Sequence, residues 1–235
     1  MVIGILQPGY LPWLGFFEQL YRSDVFVIYD DVQYDKHSWR NRNRVKTANG
    51  IQWLTVPVLL SFEEHPQVCE VRIDNSSKWR KKHLETIRQS YTRTPFFKEY
   101  IGIFEDTFAQ NWEYLIDLDL HLIEKFSDAL RIPGKPMIRS SSLGIQGGRI
   151  ERLVKICQHF KADTFYEGAS GINYIDPAEF SQHGVNVTFQ DYTHPEYKQL
   201  YGEFVPYLSA VDLLFNCGEQ SLEILLNQSQ AEVSN

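Results

Sequence analysis

The chain has 235 residues, 43% of them hydrophobic and 23% charged, with a formal net charge of -7 and a sequence pI near 5.5. That length holds one large core or a domain with an appended helical module, and the acidic balance argues against broad nucleic-acid binding, which draws on a basic surface. No stretch approaches the roughly 20 apolar residues that span a bilayer, and no basic segment followed by a long apolar run opens the chain. No membrane insertion is therefore expected, and a cytoplasmic location is. Cys69, Cys157 and Cys217 lack paired metal-ligand spacing and read as reduced thiols. Aromatic residues, 14% of the chain, favour stacking surfaces for a ring or base as well as a core.

Residues 2–6 form an apolar run that reads as a strand, and Gln7-Pro8-Gly9-Tyr10 breaks it before Trp13, Phe16, Phe17 and Leu20 recur at helical spacing. A second strand over 25–29 delivers Asp30 and Asp31 at its carboxyl end, where open α/β sheets place ligand-binding residues. A hairpin follows, with arms over 40–47 and 51–58 about an Ala48-Asn49-Gly50 turn. In its first arm Arg40, Arg42 and Arg44 alternate with Asn41 and Asn43, so the guanidiniums share one face and the amides the other. Three guanidiniums suit a phosphate, whose oxygens they grip in a bidentate fork. The plainer alternative is an edge strand kept from aggregating by its charge.

A short strand over 68–73 leads to Asn75-Ser76-Ser77, an N-cap for a helix over about 78–91. Trp79, Leu84 and Ile87 fall on its core side, while Arg80, Lys81, Lys82, His83 and Arg88 make it the most basic helix, a docking face for an acidic carrier protein or an RNA. Helices over 97–108 and 112–130 complete a helical insertion at about 76–132. In the second of them Ile116, Leu120, Ile123 and Leu130 point inward, Asp117, Asp119, Glu124 and Lys125 outward, and His121 reads as a core histidine. Strand and helix then alternate: a strand at 137–139, a loop with Ser140-Ser141-Ser142 and Gly147-Gly148, a helix over 149–160, and a strand at 164–166. The serine-glycine loop reads as a connector or a weak anion site. A second glycine loop, Gly168-Ala169-Ser170-Gly171, permits close backbone approach to a ligand. A helix near 177–183, a strand over 185–190 ending before Asp191, Tyr192 and His194, and helices at 208–215 and 220–226 that close the sheet finish the chain. The expected architecture is a single α/β domain with a mostly parallel sheet, a β-hairpin and the helical insertion.

Several long motifs, in one order, carry a resemblance. Gln7 to Phe17, the Asp30-Asp31 pair, Ser38-Trp39-Arg40-Asn41-Arg42-Asn43-Arg44, Trp53-Leu54-Thr55-Val56-Pro57, Tyr166 to Tyr174 and Phe204 to Gly218 resemble the WbqC-like protein family over nearly the whole chain. The resemblance implies a bacterial cytoplasmic protein tied to O-antigen and other surface-polysaccharide assembly, particularly modified amino sugars. Glu167 stands where a serine is expected before the glycine. Strand, Pro-containing loop, helix and second strand are also similar to the nucleotide-binding core of cytidylyltransferases, pantothenate synthetase and class I aminoacyl-tRNA synthetases. The phosphate-gripping histidines of that core are absent from Tyr10 to Phe16, which leaves nucleotide binding open and disfavours adenylyl transfer by the same chemistry.

The function expected from these residues and resemblances is transfer of an acyl or aminoacyl group to the amine of a nucleotide-linked amino sugar, with an acyl carrier or aminoacyl donor as co-substrate. Arg40, Arg42 and Arg44 bind the diphosphate; Gln7, Tyr10 and Trp13 line the base or sugar pocket; Asn41 or Asn43 polarises a carbonyl; and Ser170 and Gly171 join the cleft. Histidine suits proton removal near neutral pH, so His37 is the expected base and His194 its rival, with Asp30 or Asp31 orienting the histidine or holding the amine. No metal set stands out. Two other classes remain open: a nucleotide-sugar binding protein without turnover, and a scaffold for polysaccharide enzymes docking through the basic helix.

Overall fold

The computed structural model describes residues 1–35, 38–60 and 65–227. In chain order its first half runs β1 (Val2–Leu6), α1 (Leu14–Arg22), β2 (Val25–Ile28), β3 (Arg42–Thr47), β4 (Gly50–Thr55), β5 (Val58–Leu59), β6 (Arg72–Ile73), α2 (Trp79–Tyr91), α3 (Phe97–Ala109) and α4 (Leu115–Ala129). The rest is β7 (Met137–Arg139), α5 (Arg149–His159), β8 (Thr164–Glu167), α6 (Pro177–Ser181), β9 (Asn186–Phe189), α7 (Ala210–Cys217) and α8 (Ser221–Leu225). These elements fall into two compact units, the first made of 1–8, 15–32 and 133–193, the second of 9–14, 33–132 and 194 onward.

The first unit is α/β, built on a five-stranded sheet in the order β7-β2-β1-β8-β9 with every pairing parallel. Parallel strands covered on both faces become continuous apolar runs, which is how Val2–Leu6 and Val25–Ile28 read. On one face Ile3, Ile5, Val27 and Phe165 pack with Leu153, Val154, Ile156 and Cys157 of α5 and with Phe180 of α6. On α1, Phe16 meets Phe26 edge-on at 5.4 Å. Gly4 is glycine for a steric reason: a Cβ there would lie 2.5 Å from Ser23 Oγ and 2.8 Å from the Phe26 ring. Polar bonds finish the seat of α1, because buried Glu18 accepts from Tyr166 Oη at 2.9 Å and Gln190 Nε2 at 2.6 Å while Gln19 Nε2 donates to the Tyr166 carbonyl at 2.8 Å.

The second unit holds the hairpin and the helices. β3 and β4 pair from Arg42↔Thr55 to Thr47↔Gly50 around a two-residue Ala48-Asn49 turn, and Gly50 takes the left-handed φ of 104° that follows it. Over 68–73 the structure differs from the expected strand: Val68–Glu70 is a 3-10 turn and only Arg72–Ile73 pairs, with β5. The expected cap of α2 is also corrected. Lys78 occupies the N-cap without a side-chain bond, while Asn75 donates to the Trp112 carbonyl at 2.9 Å instead.

The last helices belong to the second unit. Phe215 of α7 stacks on Tyr91 of α2 at 5.0 Å and on Phe97 and Phe104 of α3 at 5.7 Å each, so the apolar stripe of α7 is covered within the second unit. A third correction concerns Asp119, expected outward on α4. It sits in the stripe formed by Leu115, Ile116, Leu118, Leu122, Ile123 and Phe126 and is 1% exposed. His121 is half-buried, with Nε2 3.1 Å from Thr107 Oγ1. Among the described residues no helix is long and apolar enough to cross a membrane.

Candidate functional site

Because all five strands run parallel, their carboxyl ends share one edge of the sheet. Chain order reverses at β1, with β2 and β7 on one side and β8 and β9 on the other. Connections leave such a switch point in opposite directions and open a crevice outside the strand ends, the usual ligand position in open α/β sheets. Half-buried Gln7 follows β1 there, and Glu167 ends β8.

Asp30 and Asp31, at the end of β2, are both engaged. Asp30 is fully buried and accepts from Arg139 Nε at 2.6 Å, from Ser141 N and Oγ at 2.9 Å each, and from Ser140 Oγ at 3.2 Å. Asp31 accepts from Arg152 Nη2 and Ser140 Oγ, and its carbonyl takes a further bond from Arg152 Nη1 at 3.2 Å. The aspartates thus fasten β2 to the residues after β7 and to α5. The serine triplet, read from sequence as a connector or anion loop, is the other half of this fastening.

Glu167 is arranged differently. It is 6% exposed, accepts from Tyr174 Oη at 2.9 Å, and has no ion pair among the described residues. The Arg149 guanidinium lies over the Tyr174 ring, 4.0 Å from its centroid. Burial pushes the Glu167 carboxyl up to about 7, opposed more weakly by the Tyr174 bond, the Gly168 backbone and Arg149. Gly171 is the cradle, since a Cβ there would stand 2.2 Å from Glu167 Cγ. Gly171→Ala is therefore expected to displace the carboxyl, cost about 1–3 kcal/mol as overpacking does, and return Glu167 toward ordinary carboxyl titration. Chemical denaturation and carboxyl-carbon NMR check both. Ser170 is exposed beside it, its carbonyl accepting from Asn173 Nδ2 at 3.1 Å.

In the second unit the arginine face takes a form that was not read from sequence. Arg42 lies over the Trp53 ring at 4.9 Å; Arg44 lies over Trp39 at 5.2 Å and over Trp53 at 5.8 Å; the two indoles are 4.9 Å apart. Trp39 and Trp53 are nevertheless 47% and 43% exposed, so an arginine-tryptophan ladder faces solvent. Arg44 Nη2 donates to the Tyr207 carbonyl at 3.0 Å, and the Tyr207 ring lies 5.7 Å from Trp13 and 5.3 Å from His194. Arg40 precedes the ladder, its carbonyl accepting from Tyr10 N at 2.9 Å.

His194 is buried among Tyr197, Phe204 and Tyr207. Nδ1 stands 3.0 Å from the Pro195 carbonyl, which only accepts, so Nδ1 carries the hydrogen and Nε2 the lone pair. Nε2 is buried and has no hydrogen-bond partner among the described residues, and burial pushes the imidazolium below its ordinary value, leaving a neutral acceptor near pH 7. His37 lies outside the described residues.

Tyr10, expected in the pocket, and Asn41 and Asn43, expected to polarise a carbonyl, are engaged within the fold. Tyr10 is fully buried, its hydroxyl 2.9 Å from His83 Nδ1, and lines no open surface. Asn41 and Asn43 are buried too, donating from Nδ2 to the Val56 carbonyl at 2.8 Å and the Leu11 carbonyl at 2.7 Å. Their face of β3 turns inward, which leaves the guanidinium face outward. Among the described residues no group of three His, Cys, Asp or Glu side chains is placed to hold a metal ion.

The chain is therefore an α/β protein whose parallel sheet has the strand order of dinucleotide-binding sheets, joined in sequence to a helical unit bearing an exposed arginine-tryptophan ladder. It belongs to the WbqC-like protein family, whose model matches residues 7–224. The uncharacterized protein Rv1507c of Mycobacterium tuberculosis is 34% identical over 225 residues, which cover 95% of this chain and 96% of that protein. No solved structure matches the chain.

Proposed function

We propose that this protein is a cytoplasmic transferase that moves an acyl or aminoacyl group onto the amine of a nucleotide-linked amino sugar during bacterial surface-polysaccharide assembly, of which O-antigen is the type. The observation that carries this reading is the ladder of Arg42 and Arg44 on exposed Trp39 and Trp53. A guanidinium stacked on an indole is pre-oriented and still presents N–H groups at its edge to phosphate oxygens, and an exposed indole offers its face to a base. Sugar diphosphates joined to a base carry both groups.

The reaction needs an amine free of its extra proton. A histidine removes it: His37, which lies outside the described residues, or His194, whose buried and neutral Nε2 is oriented by the bond from Nδ1 to the Pro195 carbonyl. The nitrogen then attacks the acyl carbonyl, the carbon–sulfur or carbon–oxygen bond to the donor breaks, and the departing group takes the second proton. A donor on an acidic carrier protein fits α2, where Lys81 and Lys82 are exposed.

A calorimetric screen of uridine-, thymidine- and guanosine-diphosphate amino sugars tests the binding step. Arg42→Ala is expected to weaken the best ligand by about tenfold to a hundredfold, the 1.5–3 kcal/mol of a hydrogen bond to a charged group, and Trp53→Ala to lose about 1–3 kcal/mol of stacking. Equal affinity in both variants contradicts the assignment of the ladder.

A further inference from the structure

Three carboxyls, those of Asp30 and Glu167 buried and that of Asp31 largely so, stand at the carboxyl edge of the parallel sheet, and they are not equivalent. Asp30 has Arg139, and Asp31 has Arg152. Glu167, 6% exposed, has the neutral Tyr174 phenol and no salt bridge among the described residues. Arg149 lies over the Tyr174 ring at 4.0 Å and acts on the Glu167 carboxyl only weakly, without forming an ion pair with it among the described residues. A carboxylate taken out of water without a cation is strongly disfavoured, and it is retained where another species supplies the charge.

The location is also specific. Glu167 ends β8, beside the β1–β8 switch point, on the loop where Gly171 is kept small by the carboxyl's own methylene, 2.2 Å from the position of a Cβ. Removing that contact by adding a side chain would push the carboxyl out of the loop, so Gly171 and Glu167 form one built seat. Tyr174, which holds one carboxyl oxygen, is half-exposed at 41%, placing the carboxyl one side-chain layer below solvent.

We propose that Glu167 is the receptor for the ammonium group of an aminoacyl donor, and that Tyr174 and Gly168 to Gly171 form the walls of that seat in the first unit. This rests on the transferase reading and narrows its donor from acyl groups in general to those carrying an α-amine. The ammonium supplies the ion-pair partner that Asp30 finds in Arg139 and Asp31 in Arg152, and that Glu167 lacks among the described residues. Its arrival ionises a carboxyl that burial otherwise keeps largely protonated up to about pH 7. A donor lacking the amine leaves the carboxyl protonated and gains nothing there.

The test is a carboxyl-carbon NMR titration of Glu167 in the full chain, assigned by difference from Glu167→Gln, with glycinamide and acetamide as probes. The two amides differ by the ammonium group. Glycinamide is expected to lower the Glu167 midpoint by about one pH unit or more, the effect of an opposite charge within hydrogen-bond reach, and acetamide to leave it in place. An unmoved midpoint with glycinamide, or an equal movement with acetamide, overturns the proposal. Arg42→Ala separates the two readings: the glycinamide response persists in it if the seat is real, whether or not nucleotide-sugar binding to the ladder is observed in the parent protein.

Discussion

Asp30→Ala is expected to destabilise the protein by about 3 kcal/mol, at the lower end of the 3–5 kcal/mol that follows from breaking one side of a buried ion pair. Asp30 is fully buried, whereas the Arg139 side chain is 38% exposed and recovers some hydration once its partner is gone, which sets the lower figure. Two further donors, Ser141 Oγ and Ser141 N, lose their acceptor at the same time, while Ser140 Oγ keeps Asp31. Arg152 and Asp31 provide the comparison. Both are close to nine-tenths buried, so Asp31→Ala strands a guanidinium with less access to water and is expected to cost at least as much. Replacing that pair together, as Asp31→Leu with Arg152→Met, removes both charges and is expected to be less damaging than Asp31→Ala alone. Urea midpoints at constant slope measure all four proteins. A loss under 1 kcal/mol in Asp30→Ala would show that this edge of the sheet does not depend on the fastening.

Glu167→Gln is expected to do the opposite above neutral pH. The Glu167 carboxyl rises from 4.5 to about 7 on folding, so between those values the native state holds a proton that the unfolded chain has released. Stability therefore falls as pH rises through this window, and the contribution is fully present below about 4.5. The difference amounts to about 3 kcal/mol at pH 8, at 1.36 kcal/mol per unit. Glutamine imitates the protonated acid, so the variant is expected to match the parent near pH 4 and exceed it by up to about 3 kcal/mol at pH 8. Asp212, pushed up to about 6 by burial, adds its own fall in stability with pH, but it does so in both proteins and cancels in the comparison. A pH-independent difference contradicts the account. A gain in stability paired with loss of the glycinamide response would mark Glu167 as kept for function at a cost to the fold.

Much of the fold is legible in the sequence because its signals are local. Parallel strands such as Val2–Leu6 and Val25–Ile28 stand out as apolar runs, and Asn49-Gly50 announces the hairpin. That turn also fixes register, and register places Arg44 directly opposite Trp53. The arginine-tryptophan ladder could thus have been found by counting back from the turn; alternation alone gave only the arginines. Asp119 was likewise within reach, since the stripe over 115–126 passes through it, but a charged residue on a helix is ordinarily assigned to solvent. What α7 packs against was not accessible. Its apolar stripe says that something covers it, and only tertiary structure supplies the aromatic rings of α2 and α3.

The site shows the same division. Asp30 and Asp31 are visible as a pair at a strand end, yet whether a carboxylate meets a ligand or an arginine depends on residues more than a hundred positions away. Glu167 stands out in sequence as the unexpected residue of its glycine loop, and its burial, the Tyr174 bond and the close approach of Gly171 appear only when β8 and the following turn are folded.

The most direct measurement is mass spectrometry of purified protein incubated with each nucleotide-linked amino sugar and either an acyl thioester or an aminoacyl ester. The account predicts an N-acylated sugar nucleotide with an aminoacyl donor, formed more slowly by about tenfold or more in Arg42→Ala, where the phosphate grip is lost. Sugar nucleotides recovered unchanged with every donor, from protein that binds them tightly, would contradict transfer and leave a binding protein in its place.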